Sequence, residues 1–420
     1  MNRRDFGRLV ALAGSAALIP GCYDLEASPL RATPADPDEA FWKDVRARFL
    51  IPRDVAFFNA ANLCPTSLPV VQAIERNVRE YEANPSPDVR SALMARGRET
   101  ARTLLAAALR VTPEEIVITR NTTESNNTVS SGLDLKPGDE VVVWEDNHPS
   151  NLNAWRQKAA RFGFSVVPVP IPPAHPGAAA YVDLFTRAFT PKTKLVAITH
   201  VSSNSGDLLP AAEICAAARG RSILSLVDGA QAFGVLDVDL SVIKPDFYAG
   251  SMHKWACGPK EKGLLYVNKA VHDRVQPSVV GVYAGAVGIS RTLESHGQRD
   301  DASVAAVPDA LRFQAGIGRP VIEKRSRQLA QTLMEGLKKI DGVKLWTDRA
   351  PAHSAAIVIF QPGALDPRKL NAALGGEKIV ATARAGSYNP GLRLAPHFYN
   401  TMDDVDRVVG AIQKYLRAGV

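Results

Sequence analysis

One lysine sits where a lysine is out of place. Residues 246–267 read DFYAGSMHKWACGPKEKGLLYV: Phe247 to Gly250 is short and apolar, Gly258 and Pro259 break the chain, and Gly263 to Val267 is apolar again. The pattern predicts strand, turn, strand, with Lys254 in the turn. An ammonium between two buried strands costs several kcal/mol unless it is paired or neutral. The neutral amine is the reactive one, because a desolvated lysine condenses with an aldehyde to a Schiff base. Most of the fifty Lys and Arg are solvated surface, so the setting, not the residue type, singles out Lys254.

Other chemistry-bearing residues fall at the ends of apolar runs. Thr119-Arg120-Asn121-Thr122-Thr123-Glu124 follows one run and opens a helical pattern; backbone N–H groups and two hydroxyls there suit an anion. An ordinary N-cap is the plain alternative. His148 ends the next run, in EDNHPSN, with Trp155 further on. Asp228 ends another, in LVDGAQAFG, with Gln231 three residues later. SMHKW followed by Gly-Pro and a short strand, with that aspartate upstream, resembles the lysine and aspartate motifs of class V pyridoxal 5'-phosphate (PLP)-dependent enzymes. That family includes aminotransferases, cysteine desulfurases and isopenicillin N epimerases. HKWACGPKEKGLLYV is most similar to the epimerase-like branch, which also includes periplasmic siderophore-tailoring enzymes.

The resemblance runs from about Val55 to the C-terminus and implies a role for each matching residue. Lys254 would carry PLP, and once freed would remove or return the substrate α-proton. Asp228 would pair with the pyridine nitrogen, Gln231 would bond the ring's phenolic oxygen, and His148 would stack on the ring. Thr122, Thr123, Ser251 and His253 would cradle the phosphate. Arg393, in GLRLAP, would take the substrate carboxylate, since a planar fork matches it bidentately. Asn62, in NAAN, stands at the mouth of the implied site; closing a turn is its plain alternative. Two departures stand out. FQAGIG at 313–318 lacks the Thr or Ser that a partner subunit would offer to the phosphate, and ATARAGSYN at 381–389 lacks the thiol of the desulfurases.

The implied fold is the α/β type I PLP-dependent transferase fold: a mainly parallel seven-stranded sheet in a large domain, plus a smaller α+β C-terminal domain. The sequence pattern agrees. Apolar runs at 116–119, 140–144, 165–169, 194–199, 223–227, 247–249 and 264–267 alternate with helical stretches, the mark of a parallel sheet covered on both faces. Helices are expected at 39–49, 69–82 and 91–109. Residues 276–306 are weakly periodic and read as loop at a domain and subunit boundary. A long helix at 318–340 leads to strands at 355–360, 379–382 and 392–395 and a closing helix at 402–416. The expected organisation is a signal at 1–22, a Pro-, Ala- and Ser-containing tether at 23–38, an N-terminal segment at 39–60, a large domain at 61–310 and a small domain at 311–420.

Composition is that of an ordinary globular chain, 46% hydrophobic and 22% charged over 420 residues. The net charge of +7 is scattered without runs, which argues against nucleic-acid binding. Arg3-Arg4 before an Ala- and Gly-rich apolar run resembles a twin-arginine export signal, which implies the twin-arginine machinery as a partner and a periplasmic or exported location. The run is too short for an ordinary membrane span. Ile19-Pro20-Gly21-Cys22 resembles a lipoprotein cleavage box, so a lipid anchor at Cys22 is the second expectation. Cys64, Cys215 and Cys257 show no paired spacing, and no metal site or disulfide framework is read from them. The expectation is a homodimeric aminotransferase or epimerase-like enzyme acting on an amino acid or an amino-acid-derived metabolite. A carbon–sulfur lyase and a non-catalytic lipid-anchored binding protein are the alternatives.

Overall fold

The computed structural model describes residues 31–384 and 388–420, so the expected export signal and Cys22 lie outside the described residues. Thirteen strands are present among the described residues. β1 (Ala56–Phe57) precedes the seven that form the main sheet: β2 (Ile116–Thr119), β3 (Glu140–Trp144), β4 (Ser165–Val169), β5 (Thr193–Thr199), β6 (Leu224–Asp228), β7 (Phe247–Ser251) and β8 (Gly263–Val267). Their order is β2-β8-β7-β6-β5-β3-β4, with β8 antiparallel to both neighbours and every other pairing parallel. A sheet covered on both faces needs apolar residues on both sides of its strands, and the central strands supply them. Val142, Trp144, Val196 and Ile198 enter one core, while Val141, Val143, Leu195 and Ala197 enter the core on the opposite face.

The covering helices carry caps that the sequence announces. They include α1 (Glu39–Arg46), α2 (Leu68–Ala83), α3 (Thr100–Leu109), α4 (Thr122–Gly132), α5 (Pro149–Phe162), α6 (Ala178–Ala188) and α7 (Ala211–Arg219). Asn121 caps α4 by accepting from Glu124 N, and Asp38 caps α1 by accepting from Phe41 N. The helix expected at 91–109 begins earlier, at Pro87, and passes through a π-helical turn at Met94–Glu99 before α3. The wider turn fits a close approach: a Cβ on Gly97 would come within 2.4 Å of Ala305 Cβ.

α8 (Val307–Ile317) packs on α2 and α3, and α9 (Arg319–Lys338) begins a second core. That core joins α9 to β9 (Val343–Leu345), β10 (Val358–Pro362), α10 (Pro367–Gly376), β11 (Ile379–Val380), β13 (Leu392–Leu394) and α11 (Met402–Ala418). β12 (Thr382–Ala383) and β9 flank the antiparallel sheet β12-β13-β10-β9. Ala56 and Phe58 belong to this second core and β1 pairs with β11, so the N-terminal segment crosses from one core to the other.

Within the expected tether at 23–38, Thr33 Oγ1 donates to Gly316 O at 3.0 Å and Asp36 accepts from Lys324 Nζ at 2.9 Å. Residues 276–306 are not simply loop: short helices form at Ser290–Leu293 and Asp301–Val304, and Glu294 between them is fully buried. Its carboxylate binds both terminal nitrogens of the fully buried Arg102, at 2.5 and 3.0 Å, and also accepts from Ile118 N on β2. A buried ion pair far apart in sequence leaves no periodicity to read. Among the described residues no helix is long and apolar enough to cross a membrane.

Candidate active site

The C-terminal ends of β2, β3, β5, β6 and β7 open into one cleft of about 700 Å³, its open mouth included. Ligands bind at this edge of an open parallel sheet because loops and helix N-termini converge there. Lys254, Asp228, Gln231, His148, Thr122, Thr123, Ser251 and His253 all line it.

At the floor, β6 delivers Asp228. One carboxylate oxygen accepts from Asn126 Nδ2 at 2.8 Å and the other from Ala230 N at 3.0 Å, so the group is fixed before any ligand arrives. Tyr248 underlies it: a Cβ on Gly229 would come within 2.1 Å of the phenol oxygen, so only glycine fits between them. Gln231 is fixed as well, its Oε1 accepting from Trp255 Nε1 at 2.8 Å and its Nε2 donating to Ala61 O at 2.9 Å. One amide hydrogen of Gln231 remains for a ligand.

Lys254 lies in the turn after β7, partly exposed to the cleft and otherwise enclosed. Burial lowers its pKa to about 8, against the opposing pull of Asp228 and with a further push from Arg393. The same surroundings, with Lys254 and Lys260, lower His253 to about 4. His148 stands on the rim as the cap of α5, its Nδ1 2.8 Å from Ser150 Oγ. The protein packed around it and then the Lys254 ammonium lower its pKa.

The turn before α4 is tighter than its sequence suggests. The Thr122 N–H, expected to be free for an anion, donates to Ser251 Oγ at 2.9 Å, and the two hydroxyls lie 2.7 Å apart. β8 allows this approach because Gly263 lacks a side chain: a Cβ there would meet Asn121 Cα at 2.7 Å. Thr122, Thr123 and Ser251 thus form one hydroxyl-lined edge of the cleft beside the first turn of α4.

On the small-domain side, β13 presents Arg393, 5% exposed. Its Nη1 donates to Ser203 O at 3.4 Å, and its Nε finds no partner among the described residues. Burial and then Arg384 lower its pKa to about 10. A buried guanidinium with an unmet donor is a standing site for an anion. Asn62 is exposed, its N–H closing a turn onto Asn59 O at 3.1 Å, and it is not among the residues that line the cleft.

Several lining residues escaped the sequence reading: Asn121, Asp146, Thr199 and Ser203. Asp146 accepts from Ser202 Oγ at 2.5 Å and from Asn204 Nδ2 at 2.6 Å, and burial raises its pKa. The polar run THVSSNSG directly after β5 was the available signal, being turn residues at a strand's C-terminal end.

The profile of the aminotransferase class-V family matches residues 55–408. The chain belongs to that family. It is 31% identical over 392 residues to an isopenicillin N epimerase of Amycolatopsis lactamdurans, covering 89% of this chain and 98% of the relative. It is 29% identical over 391 residues to a probable cysteine desulfurase of Methanothermobacter thermautotrophicus, covering 86% and 95%. Two solved structures of C-DES share the fold at 25% identity. One, with glycine covalently linked to its PLP cofactor, gives a TM-score of 0.81 over 90% of this chain and 99% of that one. The other, a cystine C–S lyase in complex with cysteine persulfide, gives 0.80 over 86% and 98%. The type I fold read from the sequence is thus the fold of the class-V chain.

Proposed function

We propose that this protein is a PLP-dependent enzyme that works at the α-carbon of an amino acid or an amino-acid-derived metabolite, with an epimerase-like or amino-transferring outcome. The observation that carries the reading is Lys254, an amine in the cleft with its pKa lowered to about 8, facing the same space as the fixed Asp228 and near enough to the buried Arg393 for that guanidinium to lower its pKa further.

The residues fit the cofactor by their chemistry. Lys254 supplies the amine that anchors it, Asp228 a carboxylate for the ring nitrogen, and Gln231 an amide hydrogen for the ring's oxygen. His148 offers a flat ring at the rim, and Thr122, Thr123, Ser251 and His253 offer donors to the phosphate. Bound there, PLP supplies an electron-withdrawing ring that makes the α C–H bond of an attached amino acid acidic. Arg393 would hold the substrate carboxylate and so fix which bond points at Lys254. Neutral at its Nζ, Lys254 takes the α-proton; protonated, it returns one. The working unit is proposed to be a homodimer, exported to the periplasm.

A second reading, carbon–sulfur lyase, is favoured by the likeness to C-DES. Desulfurase chemistry finds less support, since it needs a thiolate near the substrate sulfur and residues 381–389 contain no cysteine. One experiment separates these outcomes. The purified holoenzyme is incubated in deuterium oxide with a panel of amino acids and small peptide metabolites, and α-proton exchange is followed by NMR. Exchange with inverted configuration supports epimerisation, oxo acid formation supports amino transfer, and pyruvate with released sulfur supports lyase action. No exchange and no product with any compound would sink the reading.

A further inference from the structure

Behind the Lys254 turn, on the side away from the cleft, two cysteines 193 residues apart meet. Cys64 Sγ and Cys257 Sγ are 3.4 Å from each other, and each residue is 1% exposed. Both backbones are tied to the lysine turn: Cys64 N donates to His253 O at 2.8 Å, and Cys257 N to Lys254 O at 2.9 Å. Cys257 holds φ at +52°, a left-handed conformation that side chains seldom take and that Gly258, one residue on, would accept more easily. The Cys64 thiol reaches Tyr399 Oη at 3.5 Å and the Cys257 thiol reaches Trp255 O at 3.7 Å. The two sulfurs face each other, and either thiol can donate to the other.

His397 completes a cluster whose ligating atoms lie within 4.8 Å of one another, which raises the question of a metal. The ring answers it. Trp255 O can only accept, so His397 Nε2, 2.7 Å away, carries the hydrogen. Burial keeps the imidazole neutral, with its pKa lowered to about 3, so Nδ1 is the acceptor, and Ser326 Oγ lies 3.1 Å from it. Both nitrogens are used, and no ring lone pair is left for an ion.

We infer that Cys64 and Cys257 form a reversible disulfide that cross-links the Lys254 turn to the 59–64 segment. The sulfurs need to close to a bond length of about 2 Å. The co-reactant is a disulfide donor, a small disulfide or an oxidised dithiol protein. One thiolate attacks the donor and expels a thiolate, the second then displaces the other half of the donor, and the donor leaves as two thiols with the two protons and two electrons of the pair. The leading segment crosses between the two cores, since β1 pairs with β11 and Asn59 bridges to Ala395. The bond would thus bind the lysine turn to the strand that carries Arg393 through Asn59–Cys64. Lys260 sits beside the pair, its Nζ donating to Cys64 O at 2.7 Å and Thr66 Oγ1 at 2.8 Å. Burial raises the Cys257 pKa, so exchange is expected to need an opening of the 59–64 segment and to be slow in the closed enzyme.

The test uses the full holoenzyme, purified under reducing conditions and brought to constant composition in glutathione buffers from reduced to fully oxidised. Samples are quenched in acid, alkylated and digested without reductant, and peptides are identified by mass spectrometry. The expected result is a single linked pair joining the Cys64 and Cys257 peptides, with Cys215 alkylated throughout and a higher Tm that dithiothreitol reverses. Cys215→Ser should leave the link intact. Cys64→Ser should remove it, and if that variant does not fold, the wild-type and Cys215→Ser digests still decide. Separate alkylation of Cys64 and Cys257 in the most oxidised buffer, mixed disulfides with glutathione only, or one equivalent of zinc retained through gel filtration would each overturn the inference.

Discussion

Lys254 is the residue on which the proposed chemistry turns, and its lowered pKa gives that chemistry a pH signature. Below about 8 the amine is protonated and cannot attack a carbonyl; above it, the neutral form dominates. Reloading apoenzyme with PLP should therefore speed up as pH rises towards 8 and level off beyond it, followed by the change in cofactor absorbance. A profile flat from pH 6 to 9, or one still rising steeply at pH 10, would contradict the assigned environment. Lys254→Ala should lose covalent cofactor altogether, since Lys260 Nζ is committed to Cys64 O and Lys262 is ion-paired with Asp300 at 3.7 Å. Borohydride reduction of the wild type followed by peptide mapping checks this, and label on Lys260 or Lys262 would refute it. Asp228→Ala should keep some cofactor through the hydroxyl edge at Thr122 and Ser251 yet lose turnover by orders of magnitude, because the ring loses its fixed counter-charge. Measured turnover near that of the wild type would remove the electron-withdrawal argument.

At the level of elements, the strands that carry the site were legible because each is a short apolar run ended by polar residues. β2, β3 and β4 fall where the pattern puts them, and β5, β6, β7 and β8 differ from it only at their ends. β9 was not legible, being three half-exposed residues, VKL, whose pairing with β10 comes from tertiary contact. Nor was the Arg102–Glu294 pair, which supports the strand leading to the Asn121 turn. Burial works against the Arg102 charge, but Glu294 and Glu99 outweigh it and raise its pKa. Burial likewise opposes the Glu294 carboxylate, and Arg102 more than compensates, holding its pKa below 4.5. Glu294→Gln should strand the guanidinium in a fully buried setting and destabilise the fold by about 3–5 kcal/mol, read from denaturant unfolding. The sign with pH follows from the depressed carboxyl. The stabilisation is full above pH 4.5 and fades as pH falls through the native pKa, so the gap between wild type and variant should narrow in acid. A gap independent of pH would mean the loss comes from packing instead.

For the whole molecule, the sequence leads one to expect a large domain and a small one, but it does not show the thread between their cores. Ala56 and Phe58 fall in the expected N-terminal segment at 39–60, and only the three-dimensional pairing of β1 with β11 assigns them to the second core. The meeting of Cys64 with Cys257 was hidden for the same reason, since spacing along the chain says nothing about residues joined by tertiary contact. The proposed N-terminal signal is a different kind of information, because it would be read by a receptor and not by the fold. Two adjacent guanidinium forks, Arg3 and Arg4, precede an apolar run that is only mildly hydrophobic, which suits a route carrying folded proteins. A chain that must hold a cofactor on a buried lysine gains from such a route, since the site can be assembled before crossing. Replacing Arg3 and Arg4 with Lys keeps the charge and removes the planar forks. The variant should accumulate in the cytoplasm as folded, PLP-loaded protein with its N-terminus uncleaved, measured by fractionation, cofactor absorbance and N-terminal peptide mapping. Cys22→Ala should shift the mature protein from the membrane fraction to the soluble periplasm if that thiol is acylated. Periplasmic delivery of the Lys-Lys variant at the wild-type level would show that a different route handles this chain.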